Sequence, residues 1–435
     1  MLTILLVILF LTLLLLMELK RRQLSVIVKH IPGPKELPIF GSHYVFKSED
    51  ITDFQKLDSQ DCVASVVKIF LGPKLLLVVS DPAVLQQLLG QCQEKPYLVN
   101  FFNLEFGLFS AKYPIWKPLR KGLSPAFSQR VSNSFIPIFD KHYANLCKAF
   151  SDKLDTYDFN FHSYVQRQSF HLTLETTLNS TLTDDYIDLH SFEEVEDIIG
   201  QRTMASHLHA DFIYKRTKMY KREREIRASI EAMIDRILED KYLKMKDEEY
   251  LTEQSNSHIF IDQLMHLTQD GRELTPLEIR QNIIAIIFAG YETTAVTITY
   301  AILMLAMHPE IEKLVVQEID EFYKKGDVID YDLLKNLNYL EMVVKETMRL
   351  FPSVPLTIRE SIEDMNLEGV GMIPKGVTFI CSFYRLHRWK DIWGSDANEF
   401  RPERFSQKKM LKDIPLVSYL LVVAREIVWA IDMLC

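Results

Sequence analysis

The sequence predicts a mainly α-helical protein, one large helical domain carrying a small β-region, tethered by an apolar N-terminal helix. Helical periodicity runs from about Ser134 to Leu267, resumes in Pro276 to Ala306 and continues through Leu350. Strand-like residues are confined to short runs: Val66 to Leu71, Lys74 to Ser80 and Val377 to Ile380. Met1 to Met17 carries no charge and is dominated by Leu and Ile.

The apolar start is read first. A spanning helix needs roughly 20 apolar residues, so this run is short but adequate when its flanks snorkel. Lys20, Arg21 and Arg22 follow it, and no small-residue cleavage site is apparent, which favours an uncleaved anchor over a secretory signal. By the positive-inside rule the downstream chain stays on the cytosolic side. Residues 1–19 are therefore expected as anchor and 20–42 as a basic and Pro/Gly hinge. Within the hinge, His30-Ile31-Pro32-Gly33-Pro34 should form a stiff, extended connector, because proline fixes φ and disfavours helix just before it.

Gly72-Pro73 between the first two strand-like runs predicts a hairpin. Asp81-Pro82 offers an N-cap and a proline at the first helical position. Tyr214 to Lys246 reads as a charged, solvated helical run, and Pro276 to Ala306 as a long, largely buried helix. No internal repeat or low-complexity linker follows residue 50, so one compact domain is expected.

The 435 residues, 48% hydrophobic, suffice for a substantial core. A net charge of −9, with both signs mixed, argues against nucleic acid as partner, since a phosphate-binding face needs concentrated Lys and Arg. Cys62, Cys92, Cys147, Cys381 and Cys435 are scattered and form no CxxC pair, which fits neither a disulfide framework nor a zinc site and suits a reducing compartment.

The chemistry is expected in the long helix, at Ala289-Gly290-Tyr291-Glu292-Thr293-Thr294. Gly costs about 1 kcal/mol against Ala inside a helix, and Thr diverts hydrogen bonds from the ladder. Such conflict marks a place where the helix bends and something approaches closely. A glycine that merely permits close helix packing, with Thr bonded back to the preceding turn, accounts for the same residues. Glu346-Thr347-Met348-Arg349 places an acid and a base three apart on a helix, ordinarily a surface pair. Pro352 and Pro355 end that helix, Arg359 follows, and Phe400-Arg401-Pro402-Glu403-Arg404-Phe405 stands further on.

These motifs, in this order, resemble those of the cytochromes P450. Ala289 to Thr294 is similar to the family's oxygen-activation motif, Glu346-x-x-Arg349 to its buried Glu–Arg pair, and Pro402-Glu403-Arg404-Phe405 to the segment completing that network. Trp116-Lys117-Pro118-Leu119-Arg120 resembles the helix whose Trp and Arg meet a haem propionate. The anchor and Pro-Gly-Pro hinge look like those of microsomal members, and further details resemble insect members of the fatty-acid-hydroxylase-like clan. The resemblance covers residues 1 to about 412 and implies the P450 fold over 43–412, haem b as cofactor, and insertion of one oxygen atom from O2 into an apolar small molecule (a fatty acid, hormone or xenobiotic). It also implies NADPH-cytochrome P450 reductase as electron donor, since no Gly-rich dinucleotide motif appears, and residence at the endoplasmic reticulum membrane with the globular part cytosolic. Glu292 and Thr293 would then steer protons during oxygen activation, and Ala289 and Gly290 would leave room for dioxygen. Trp116, Arg120 and Arg359 would hold propionates. Glu346, Arg349 and Arg404 would form a buried structural network. Pocket residues are expected in Asn100 to Tyr113, His207 to Tyr214, Ile284 to Thr293 and Val354 to Ile358.

One departure stands out. The family's thiolate comes from a Phe-x-x-Gly-x-Arg-x-Cys-x-Gly loop, and none follows Phe405; no glycine occurs after Gly394, and Cys435 has no loop around it. The expected metal ligand is absent, so the fold is expected to be incomplete at its C-terminus. Read one base earlier, permitted codons for Leu420 to Leu434 yield Pro-Phe-Gly-Gly-Gly-Pro-Arg-Asn-Cys-Met-Gly-Tyr-Arg-Tyr-Ala. Residues 413–435 are accordingly read as an out-of-frame tail, with a catalytically dead relic as the rival to an active monooxygenase.

Overall fold

The computed structural model describes residues 2–45, 65–153, 160–180, 189–245, 259–269, 272–324 and 326–406. Along the chain come α1 (Leu2–Ile27), β1 (Val66–Leu71), β2 (Lys74–Val79), α2 (Pro82–Gln91), α3 (Tyr113–Leu123), α4 (Ile136–Ser151) and α5 (Phe161–Leu178). Then follow α6 (Leu189–Met204), α7 (Lys218–Lys244), α8 (Pro276–Met307), α9 (Pro309–Phe322) and α10 (Asn338–Leu350). Strands β3 (Leu356–Glu360), β4 (Met365–Leu367), β5 (Gly371–Ile373) and β6 (Thr378–Ser382) come last, with shorter turns of helix between these elements. The mainly helical class with a small β-region is as the sequence predicts.

The chain comprises two compact units. In the first, β2 pairs in parallel with the distant β6, which brings Lys74–Val79 and Thr378–Ser382 into one sheet. The first unit is Met1–Phe101, Ile198–Thr217 and Pro355–Trp389; the second is Phe102–Asp197, Lys218–Val354 and Lys390–Cys435.

In the first unit the sheet order is β1-β2-β6-β3. The predicted hairpin forms, turning at Gly72 with φ +57°. Val67, Ile69, Leu76, Val78 and Ile380 pack as one core. Asp81 caps α2 as expected, its Oδ1 accepting from Ala83 N at 2.9 Å and Val84 N at 3.0 Å.

The hinge differs from expectation. Helix α1 runs past the apolar stretch to Ile27, and the connector is packed instead of spanning a gap. Arg21 is buried; its guanidinium donates to both Glu18 oxygens at 2.9 and 2.8 Å and also to Glu36. Ser25 donates to Glu36 at 3.0 Å, and Ile39 N to Glu18 at 2.9 Å. Val28 and Ile31 are fully enclosed, and Lys68 N donates to Pro32 O at 2.9 Å. Gly33 makes this approach possible, since a Cβ there would meet Lys68 O at 2.3 Å. Tyr214 is also buried, not on a solvated face: Arg202 lies 4.0 Å from the Phe101 ring and 3.9 Å from the Tyr214 ring.

In the second unit α8 is the long, largely buried helix the sequence predicts. Thr275 and Glu278 form a capping box, Glu278 Oε2 accepting from Thr275 N at 2.7 Å, and Pro276 takes the first turn. Helix α5 packs along α8. The charged run survives in α7 on one face only, because Ile226, Ile230, Met233, Ile234 and Ile237 are buried and Lys241 pairs with Asp262 at 2.5 Å.

Candidate active site

Glu346 and Arg349 sit one turn apart at the end of α10, where Pro352 prevents further helix. They are not the surface pair that spacing alone suggests, for both are at most 1% exposed. Arg349 Nε and Nη2 donate to the two Glu346 oxygens at 2.6 and 2.8 Å, and Nη1 donates to Ala397 O at 2.6 Å. Glu346 Oε1 also accepts from Arg401 N at 2.9 Å. Arg404 joins at 3.4 Å from Glu346, but its strong contacts are with Trp393 O at 2.7 Å and Asp396 Oδ2 at 2.7 Å. Those contacts hold the Asp396 carboxyl below its ordinary value. Sequence reasoning missed Asp396; it lies in an irregular loop after Gly394, whose φ of +87° offers no periodic signal.

On α8 the expected motif occupies one turn without a break. Thr293 Oγ1 donates to Ala289 O at 2.7 Å, and Thr297 repeats the bond one turn on. Ala289, Glu292, Thr293 and Val296 are half-buried, whereas Ile286, Ile287, Gly290, Tyr291, Thr294 and Ala295 are buried. Ala289, Glu292, Thr293 and Val296 thus form a half-buried stripe beside buried neighbours in mid-helix, while the ends of α8 carry exposed residues such as Leu277 and Met307. The room expected at Gly290 is used differently. A Cβ there would lie 2.8 Å from Thr173 Cγ2 of α5, so this glycine serves close helix packing, and Ala289 and Thr293 are left as the small groups of the half-buried stripe.

Glu292 turns toward α5. Gln166 Nε2 donates to Glu292 Oε2 at 2.7 Å, and His162 Nε2 lies 3.4 Å from Oε1. Neither partner was found from the sequence, because nothing local links α5 to α8. From α6, Glu196 adds a carboxyl that burial, and then the Glu292 charge, pushes up to about 8. Burial and the same carboxylates push the Tyr291 hydroxyl well above its usual range.

Trp116 and Arg120 share the face of α3 as expected, both half-buried, with Trp116 stacked on Tyr113 at 6.1 Å. In the other unit, Arg359 stands in β3, Nη1 donating to Thr357 Oγ1 at 3.1 Å and Ile358 O at 2.9 Å. Of the pocket segments, Phe106 and Leu108 are bound to α8, their N–H groups donating to Gln281 Oε1 at 2.8 Å and Asn282 Oδ1 at 2.9 Å. Residues 207–214 and 355–358 belong to the first unit.

The implied haem can be tested against these groups. Taken unit by unit, the Trp116 and Arg120 pair on one face of α3, and the half-buried Arg359 guanidinium in β3, each have the chemistry to bind a carboxylate such as a propionate. The described cysteines do not fit the axial position, which needs a thiolate. Cys92 donates to Glu360 O at 2.8 Å and burial pushes its thiol up to about 11; Cys381 is enclosed in β6 and pushed up to about 12; Cys147 is exposed on α4. Cys62, Cys435 and the whole 413–435 tail reading lie outside the described residues.

A family model described as Cytochrome P450 matches residues 31–420, slightly beyond the point at about 412 where the motif resemblance stops. The chain is 29% identical to "Probable cytochrome P450 313a1" of Drosophila melanogaster, the match covering 91% of this chain and 82% of that protein. It is 30% identical to "Probable cytochrome P450 313a3" of the same species, covering 88% and 80%. With "Cytochrome P450 4d1" of Drosophila simulans the identity is 28%, covering 90% and 81%.

Proposed function

Because the chain belongs to the cytochrome P450 family, whose members are haem-thiolate monooxygenases, we propose that it inserts one oxygen atom from O2 into an apolar small molecule, with electrons from NADPH through a separate reductase. Haem b, when bound, would supply the oxygen-activating chemistry. The chain's own residues would do the rest. Trp116 and Arg120 on α3, and Arg359 in the first unit, would each offer a partner to a propionate. Thr293 commits its hydroxyl hydrogen to Ala289 O, which leaves its oxygen free to accept from a water or a protonated acid. Glu292 is the neighbouring proton-handling group. Glu346, Arg349, Arg404 and Asp396 support the segment that precedes the missing cysteine loop. The observation that supports this reading most is the half-buried Ala289–Thr293 stripe beside buried Gly290, Tyr291 and Thr294 in the middle of α8.

Helix α1 is long and apolar enough to cross a membrane over Thr3–Ile27, with none of its most apolar window buried. We read it as the anchor to the endoplasmic reticulum, with the remainder cytosolic. Helix α8 passes the same length test but is mostly buried, as a core helix is.

A second reading, a catalytically dead relic, draws on the unsuitable described cysteines and on a tail without the cysteine loop. One experiment separates the two. Purified chain that takes up haem and, reduced under carbon monoxide, gives the thiolate-ligated difference spectrum supports the monooxygenase; uptake only after the tail is restored to the neighbouring frame supports the relic. Failure of the frame-restored chain to bind haem would sink both. Transcript bases across codons 405–435 that cannot encode the loop in that frame would sink the out-of-frame reading.

A further inference from the structure

Glu292 is gripped by two side chains four residues apart on α5, a spacing that puts them on one helical face. Gln166 supplies a neutral hydrogen bond at 2.7 Å and His162 Nε2 stands 3.4 Å from the other oxygen. The remaining imidazole nitrogen, Nδ1, lies 3.1 Å from Thr299 Oγ1, on the same helix as Glu292. His162 therefore has an oxygen partner at each ring nitrogen, an arrangement that accommodates the doubly protonated ring. Both His162 and Glu292 side chains are 32% exposed, so this contact exchanges protons with water.

From α6, the Glu193 carboxylate acts on His162 and Tyr291, and Glu292, Asp197 and Glu193 act on Glu196, whose carboxyl burial keeps protonated up to about 8. Glu193 is itself near His190, whose Nδ1 is 3.6 Å from its carboxylate. On α8, Tyr291 stays protonated. Gln166 holds one Glu292 oxygen by a neutral bond, and His162 gives the other oxygen a partner whose charge depends on pH.

We propose that His162 is the positioning residue for Glu292: as an imidazolium it pairs the acid to α5, and its loss of a proton leaves that acid held by the neutral Gln166 bond alone. The proposal rests on the reading of Glu292 as the proton-handling group. The Glu292 hydrogen bond and charge raise the His162 imidazole above its ordinary 6.5, outweighing burial. The charged pairing is therefore complete below the ordinary histidine range and is lost as pH rises through the raised value.

The test uses the full chain in detergent micelles, with carbon-13-labelled histidine and His162→Gln to assign its resonance. His162 should titrate above 6.5, and Glu292→Gln should lower its midpoint by about one pH unit. Gln166→Leu, which removes only the neutral bond, should leave the midpoint within about 0.3 unit. A second readout, the pH dependence of urea unfolding between 6.5 and 8.5, should become shallower in both His162→Gln and Glu292→Gln, with the Glu196 contribution remaining; a packing defect would shift stability equally at every pH. A His162 midpoint at or below the ordinary value, or one unmoved in a folded Glu292→Gln, overturns the proposal. Should Glu292→Gln fail to fold, Glu292→Asp, whose shorter carboxylate stands farther from the ring, must lower the midpoint instead. None of these measurements needs haem: a missing thiolate spectrum would sink the proposed activity and leave this coupling intact, and a missing coupling would do the reverse.

Discussion

The guanidinium of Arg349 gives both Glu346 oxygens, Ala397 O and Glu399 O a donor while 1% exposed, and its plane lies 4.8 Å from the Trp393 ring centroid. Arg349→Leu would strand the Glu346 carboxylate with only Arg401 N and the distant Arg404, at a cost of about 3–5 kcal/mol, read as a lower urea midpoint. Arg349→Lys should recover less than half, because an ammonium cannot span both oxygens and two carbonyls at once. Glu196 makes the opposite case, a charge the fold suppresses. Its carboxyl is pushed up to about 8, so the native state holds a proton that the unfolded chain has released. Stability from this group is thus present at low pH and lost as pH climbs toward 8. Glu196→Gln should remove that slope, leaving stability near pH 4.5 nearly unchanged and raising it at pH 8.5 by about 1–3 kcal/mol; equal shifts at both pH values would contradict the assignment. The motifs named Glu346, Arg349 and Arg404 in advance. Asp396, Gln166, His162 and Glu196 were invisible, since each acts across a loop or between helices and leaves no mark at fixed spacing.

Elements with local causes were legible. The hairpin has its glycine turn, α2 its aspartate cap, and α8 its capping box and apolar length, all within a few residues of where they act. What a glycine is for was not. Gly290 was open to two readings, and Thr173 decides between them: a Cβ at 290 would come within 2.8 Å of Thr173 Cγ2 and 2.9 Å of its Oγ1. Thr173 cannot simply rotate away, because its hydroxyl donates to Ser169 O at 2.8 Å. Gly290→Ala should therefore destabilise by about 1–3 kcal/mol as α5 and α8 are forced apart. Thr173→Ala in the same chain should restore most of the loss, so that the two changes are strongly non-additive in a double-mutant cycle. Additive costs would mean that the glycine is needed for backbone bending and not for contact.

At the scale of the molecule the sequence placed an anchor, a hinge and a domain, and the boundary between the first two is where it was least informative. The charges that follow Met17 look like a membrane-flanking cluster, yet Glu18 and Arg21 turn inward to bind Ile39 N and Glu36, partners up to 21 residues away. Helix α1 thus has two halves with different physical jobs. Ile4 to Leu16 is more than half exposed at most positions and touches little, so deleting residues 2–17 should abolish membrane association while moving the thermal midpoint by less than about 2 °C. Deleting residues 2–41 removes the Glu18–Arg21–Glu36 network and the enclosed Val28 and Ile31. Burial of those two side chains alone is worth about 1.5–3 kcal/mol each, so the longer deletion should lower the midpoint by at least about 5 °C. Arg21→Met, which keeps the helix but leaves Glu18 with Arg22 and Ile39 N and Glu36 with Lys68 and Ser25, should fall between them. Differential scanning calorimetry on the three proteins orders them directly. Equal midpoints for the two deletions would show that the hinge is a passive tether after all.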